Sequence, residues 1–148
     1  MPASTTTIDL DIARPPSVVY DALTRLGQLR GRIGTSTTYR GTHDVSHEPV
    51  QVGSTYEDQT PIGRFLGEVL VLEPGHLAVF RQATPRNDIA VRITYQLEAT
   101  ATGTHLRRTG VITTRGRFAL VHPIVVRATK RENGRTMNEL KASLEAAT

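Results

Sequence analysis

Tyrosine and arginine side chains on strands are the groups in this chain best placed to do chemistry. Ile89, Val91, Ile93, Tyr95 and Leu97 recur at a period of two, which sets Tyr95 on the apolar face of a strand. Leu106, Arg108 and Ile112 are also separated by even steps, so the Arg108 guanidinium shares a side with two aliphatic residues. A buried guanidinium is costly unless paired. Arg108 therefore calls for an acid such as Glu68 or Asp58, or for the carboxylate or phenolate of a bound molecule. A bulge in the strand would reverse the face and leave Arg108 in solvent. Tyr39, Tyr56 and Tyr95 each join an apolar ring to one hydrogen-bonding hydroxyl. An inward Tyr95 could orient a polar group of a bound molecule or exchange a proton with it, or it could simply fill space beside a helix. Phe65, Phe80 and Phe118 read as wall and core.

Other constellations carry less. His43 and His47, with Asp44 and Glu48 beside them, invite a metal. The segment does not read as a helix and offers no third ligand at diagnostic spacing, so it reads as an exposed loop with no metal. Ser17 and Ser54 lack the Gly-x-Ser-x-Gly elbow of a serine hydrolase. Gly31-Arg32-Ile33-Gly34-Thr35 lacks the Gly-Lys-Ser/Thr core of a phosphate loop and reads as a flexible connection, placed where it could act as a lid. No cofactor is expected.

The elements that must position these groups follow from periodicity. Thr6 to Ile12 alternates as a half-buried strand. Pro15-Pro16 opens a helix in which Val18, Val19, Leu23 and Leu26 lie at helical spacing, with Gly27 as its stop. A second helical turn follows over Gln28 to Arg32. Strands are expected over Thr35 to Thr42, Val50 to Thr60, Arg64 to Leu72, Leu77 to Ala83, Ile89 to Leu97 and His105 to Arg115. They are separated by turns at Pro61-Ile62-Gly63, Glu73-Pro74-Gly75-His76, Pro85-Arg86-Asn87-Asp88 and around Gly103. Seven strands with hairpin-length loops favour an antiparallel sheet. Phe118 to Ala147 is a long helix with Pro123 near its start. Val121, Val125 and Ala128 form one apolar stripe, Met137, Leu140 and Leu144 another, and Thr129 to Thr136 between them is polar. The first half should face a cavity mouth and the second should pack on the sheet.

At 148 residues the chain fits one domain, 1–148, able to bury roughly 70% of its unfolded surface. A composition 38% hydrophobic and 22% charged is that of an ordinary globular protein. No apolar run approaches the length of a membrane span, and Met1 to Leu10 is too polar for a signal peptide, so the expected address is the cytoplasm. The absence of cysteine excludes disulfides and thiolate chemistry. A net charge of +4 raises nucleic acid as a partner, but the arginines are spread through the chain among acids, and no nucleic-acid binding is expected.

The order of these pieces resembles the helix-grip superfamily of START lipid-transfer domains, Bet v 1 allergens and bacterial polyketide cyclases, most closely the bacterial polyketide cyclase/dehydrase-like branch. The resemblance is carried by Ala13-Arg14-Pro15-Pro16-Ser17-Val18-Val19-Tyr20-Asp21-Ala22-Leu23, by Gly67-Glu68-Val69-Leu70-Val71-Leu72-Glu73-Pro74, by Gly103-Thr104-His105-Leu106, and by Pro123 followed by Asn138-Glu139-Leu140-Lys141-Ala142-Ser143-Leu144-Glu145. The aromatic usual in the first helix of such proteins is Tyr20 here, and a Trp often seen after that helix is absent. The resemblance implies an α+β helix-grip fold: a seven-stranded curved antiparallel sheet around a long C-terminal helix, with two short helices after the first strand. It also implies a pocket for a lipid, polyketide or other apolar molecule. Its lining would come from Tyr39, Tyr56, Phe65, Val69, Phe80, Ile93, Tyr95, Arg108 and Ile112 on the sheet and from Val121 and Val125 on the helix. The expected function is a small-molecule carrier or sensor, as a monomer or homodimer. The alternative is a cyclase or dehydratase that uses Tyr95 and Arg108 as acid/base and orienting groups.

Overall fold

Period-two burial organises the last strand, where every second side chain from Thr104 to Thr114 is buried. The computed structural model, which describes residues 2–34, 36, 39–61 and 63–147, runs β1 (Ala3–Ile12), α1 (Pro16–Thr24), α2 (Leu26–Ile33), β2 (Gly41–His43), β3 (Thr55–Thr60), β4 (Gly63–Glu73), β5 (Leu77–Ala83), β6 (Ile89–Ala99), β7 (Thr104–Thr114), α3 (Arg117–Leu120) and α4 (His122–Ala146). The strands form one antiparallel sheet in the order β1-β7-β6-β5-β4-β3-β2. Hairpins make each neighbour except β1, which closes the sheet against β7 from the far end of the sequence. The register shifts once, between Val69 and Val71 of β4, and such a bulge bends its strand. β7 carries no such shift, so its alternation runs unbroken through Arg108.

The helices are held on the concave face by long-range polar contacts. Pro15 and Pro16 start α1, which buries Val19, Ala22 and Leu23. Gly27 does not end this helix but lies in the first turn of α2. Its N–H donates to the Glu48 carboxylate at 2.8 Å, and a Cβ there would stand 2.7 Å from the same oxygen. Glu48 thus caps the N-terminus of α2, the end that favours a negative charge. At the other end Arg135 of α4 donates to the carbonyls of Ile33 (2.7 Å) and Gly34 (3.4 Å) while paired with Glu132 at 2.7 Å. The polar centre of α4 therefore has a task, because it terminates α2. Beyond it Met137, Leu140 and Leu144 are buried with Ile12, Val19, Leu23 and Leu106. Arg14 donates to the carbonyls of Leu144 and Ala147, and Ala13 N–H donates to Glu145. The start of α4 is fixed by His122, which sits buried between the hydroxyls of Ser4 (2.8 Å) and Thr114 (2.7 Å).

Three expectations from periodicity are corrected. Of the strand expected over Thr35 to Thr42, Gly41 and Thr42 lie in β2 with His43 and the Arg40 N–H bonds Gln59 O, while Thr35, Thr37 and Thr38 lie outside the described residues, as does Ile62 of the expected turn. Gly31 to Ile33 is helical, and Ile33 is buried, so this part of the expected loop belongs to α2. β3 begins at Thr55 rather than Val50 because the Val50 N–H bonds Thr24 O and Gly53 adopts φ +89°, which breaks the extended chain.

Candidate ligand cavity

A cavity of about 110 Å3 lies between the inner face of the sheet, α2 and the centre of α4. Leu26, Leu29 and Ile33 of α2 roof it, with Leu23 of α1. Asn133, Thr136 and Met137 close it from α4, while Tyr39, Thr42, Tyr56, Asp58, Phe80, Gln82, Ile93, Tyr95 and Arg108 form the opposite wall. Edge-to-face rings connect that wall, Tyr56 to Phe80 at 6.2 Å between centroids and Phe80 to Tyr95 at 5.9 Å.

One end of the wall is a polar chain. The Thr42 hydroxyl donates to Asp58 Oδ1 at 2.7 Å and meets the Tyr39 hydroxyl at 2.7 Å. Thr42 has one proton to give, so the Tyr39 hydroxyl is the donor when Asp58 is ionised. Gln82 Nε2 donates to Asp58 Oδ2 (2.8 Å) and to the Tyr56 hydroxyl (2.9 Å). Burial pushes the Asp58 carboxyl up to about 6, against the opposing pull of the Thr42 and Gln82 hydrogen bonds and the His43 charge. Burial, reinforced by the Asp58 charge, also holds the Tyr56 phenol well above its ordinary range. This arrangement depends on Gly67. Tyr56, Gly67 and Gln82 stand side by side across β3, β4 and β5, and the Tyr56 ring lies over the glycine to reach Gln82. A Cβ on Gly67 would sit 2.2 Å from Tyr56 Cζ.

The other end of the wall is Arg108, only 5% exposed. It lies opposite Tyr95 in the β6–β7 register, with its guanidinium carbon 5.8 Å from the ring centroid. Its Nε and Nη1 are buried and, among the described residues, have no hydrogen-bond partner; the same holds for Nδ2 of Asn133. Neither acid considered from the sequence pairs with it. Glu68 is exposed on the opposite face of β4, since its neighbours Gly67 and Val69 point inward. Asp58 shares the cavity, yet its carboxylate oxygens accept from Thr42 and Gln82. The cavity therefore presents an uncompensated cation at one end, a carboxyl titrating near neutrality at the other, and rings between them. Such a lining suits a compact molecule that carries an anionic or carbonyl oxygen.

A second hollow, about 360 Å3, opens beyond it between the first half of α4 and the strands. Asp58, Gln82 and Asn133 belong to both linings and so stand as a polar partition. The outer hollow is lined by apolar side chains including Phe65, Val91, Phe118, Val121, Ile124 and Val125.

Of the residues expected at the site, Tyr39, Tyr56, Phe80, Ile93, Tyr95 and Arg108 line the inner cavity. Phe65, Val121 and Val125 line the outer hollow instead. Val69 and Ile112, 1% and 0% exposed, are packed in the core with Tyr56 and Val91 and line neither. Asp58, Gln82, Thr42 and Asn133 were not singled out as lining. Two of them were within reach of parity, since Asp58 is two residues from Tyr56 and Gln82 two from Phe80. His43 lies at the end of β2 and His47 in the following loop, bonded to Ser46 and Ser54. Among the described residues no three His, Asp or Glu side chains gather as metal ligands, and no helix is long and apolar enough to cross a membrane.

A sheet of seven antiparallel strands closed around a long C-terminal helix, with short helices over the opening, defines a helix-grip protein. The family described as polyketide cyclase / dehydrase and lipid transport matches residues 1–145, and the chain belongs to it. Solved structures share the fold at low identity. The Zhui aromatase/cyclase from a Streptomyces species is 11% identical with a TM-score of 0.79, over 97% of this chain and 94% of that one. Ara h 8.0201 is 10% identical with a TM-score of 0.73, over 98% and 99%. A protein from Mesorhizobium loti is 20% identical with a TM-score of 0.72, over 98% and 99%. No curated protein matches the sequence.

Proposed function

We propose that the protein binds a small apolar or amphipathic molecule between the sheet and α4, as a carrier or sensor, and that Arg108 receives an anionic or carbonyl oxygen of that molecule. The observation that carries this reading is the pair of buried nitrogens on Arg108 that have no hydrogen-bond partner among the described residues, set in a wall of rings and aliphatic groups. A fold whose stability alone mattered would gain by replacing such a group with an apolar one. Membership of a family described in terms of polyketide cyclases and lipid transport supports the class of ligand. Native mass spectrometry of gently purified protein should reveal an apolar adduct that organic extraction removes. Emptied protein should then bind anilinonaphthalene sulfonate, an apolar body with one anionic group. Protein that is consistently empty and fails to bind the probe would count decisively against the reading.

The enzyme reading is supported by one observation, the Asp58 carboxyl raised to about 6 in the same cavity as Arg108. A group titrating there can exchange a proton with substrate near neutral pH while a guanidinium holds an enolate oxygen. Turnover of a screened poly-β-keto substrate should then fall in both Asp58→Asn and Arg108→Ala. Full activity in either variant would remove that residue from the scheme.

A further inference from the structure

Among the described residues, the corner where α3 meets α4 gathers the most exposed large apolar side chains within a frame of positive charge. Leu120 is 86% exposed, Ile124 69% and Val121 39%. A lone exposed leucine is ordinary, but Val121 and Ile124 line the outer hollow, whose wall continues through Phe118 and Val125, and Leu120 stands next to Val121 just outside it. Arg115, Arg117, Arg127, Lys130 and Arg131 are exposed around them. On α4 the steps from Ile124 to Arg127 to Arg131 keep all three on one face. No acid occurs between Glu98 and Glu132, and the ion pairs of the described residues lie elsewhere. The adjoining hairpin contributes Asp88 and Arg86, which offset each other.

We propose that this corner docks on an anionic lipid bilayer. Leu120 and Ile124 enter the acyl boundary and the arginines meet the headgroups, so that the mouth of the outer hollow opens onto the membrane. Aliphatic side chains flanked by Arg and Lys are the composition of an interfacial element. The charge also decides against a second copy as the occupant. A two-fold interface would bring the same basic rim against itself, and like charges facing each other are repelled.

The test is co-sedimentation with vesicles of phosphatidylcholine alone and of an equimolar phosphatidylcholine/phosphatidylglycerol mixture, at low and high salt. The protein should bind the mixed vesicles at low salt, bind the neutral ones at least about tenfold more weakly, and be released as salt screens the headgroups. Leu120→Ser should weaken binding on the order of tenfold, and Arg127→Gln by about fivefold. Neither residue lines the cavity or the outer hollow, so both variants should keep the parent melting temperature and probe binding. Equal binding to both vesicles, no binding to either, or undiminished binding by Leu120→Ser would overturn the proposal. So would a dimer seen by analytical ultracentrifugation that Leu120→Ser dissolves, which would give the corner to a second copy. None of these outcomes bears on the inner cavity, which the probe reports separately.

Discussion

Replacing Arg108 by Met tests whether the guanidinium serves a ligand or the fold. Each buried, unpartnered N–H costs about 1–3 kcal/mol, so Nε and Nη1 together weigh against the empty fold by about 2–6 kcal/mol. The contact with the Tyr95 ring returns about 1–2 kcal/mol, and the atoms lost in Met return roughly 1 more through poorer packing. At the middle of these ranges the net is a stabilisation of about 1–2 kcal/mol. For a chain of this length that raises the melting temperature by about 3–6 °C. Binding should move the other way, because a hydrogen bond to a charged group contributes about 1.5–3 kcal/mol, which is tenfold or more in affinity for an anionic probe. Differential scanning calorimetry of ligand-free protein and a titration with anilinonaphthalene sulfonate measure the two quantities. A variant that melts below the parent shows the guanidinium stabilising the fold, and one that binds the probe as tightly as before shows that it does not meet the ligand. Either result refutes the reasoning.

Asp58 makes a prediction in pH. Its folded carboxyl titrates at about 6 against 3.8 when unfolded, so between those values the native state holds the proton that the unfolded chain has released. Stability should therefore fall as pH rises from about 4 to 6, by up to about 3 kcal/mol. Asp58→Asn should flatten urea midpoints across that window and raise stability at pH 7; an unchanged slope would mean that the carboxyl is better solvated than the geometry implies. Gly67→Ala should destabilise the protein by about 1–3 kcal/mol, because the new methyl and the Tyr56 ring claim the same space. Denaturant melts of Gly67→Ala, Tyr56→Ala and the double variant check this: the glycine substitution should cost little once the ring is gone, and equal costs in both backgrounds would place the clash elsewhere.

Much of the fold was legible because strand parity is local. The alternation around Tyr95 and through Leu106, Arg108 and Ile112 turned all four side chains to the inner face, and β7 kept its register. The same parity, applied to Gly67, Glu68 and Val69, would have excluded Glu68 as a partner of Arg108. Depth along the inner face was not legible. Val69 and Ile112 point inward as Tyr95 does, yet they lie where side chains fill the interior, while Tyr95 lies where α2 and α4 leave a gap. That gap is set by helix placement, which rests on pairings between residues far apart in sequence, such as Arg135 with the end of α2 and Glu48 with its beginning. Gly27 illustrates the limit. It looked like a helix stop because glycine often is one, whereas it admits a carboxylate from a loop that periodicity could not bring there.

The late pairing of β1 has a consequence for biosynthesis. Its partner strand lies roughly 90–110 residues further along, from Ile12 opposite Thr104 to Ala3 opposite Thr113. At translation rates of about 5–20 residues per second the first strand waits roughly 5–20 s before β7 exists. Through that interval it is an unpaired strand carrying Ile8, Leu10 and Ile12, the kind of segment that associates with other nascent chains. Asp9 and Asp11 alternate with those residues, and in the finished sheet they meet Arg107 and His105. Before that sheet exists they are charges on a solitary ribbon, and they keep one growing chain from zipping to the next.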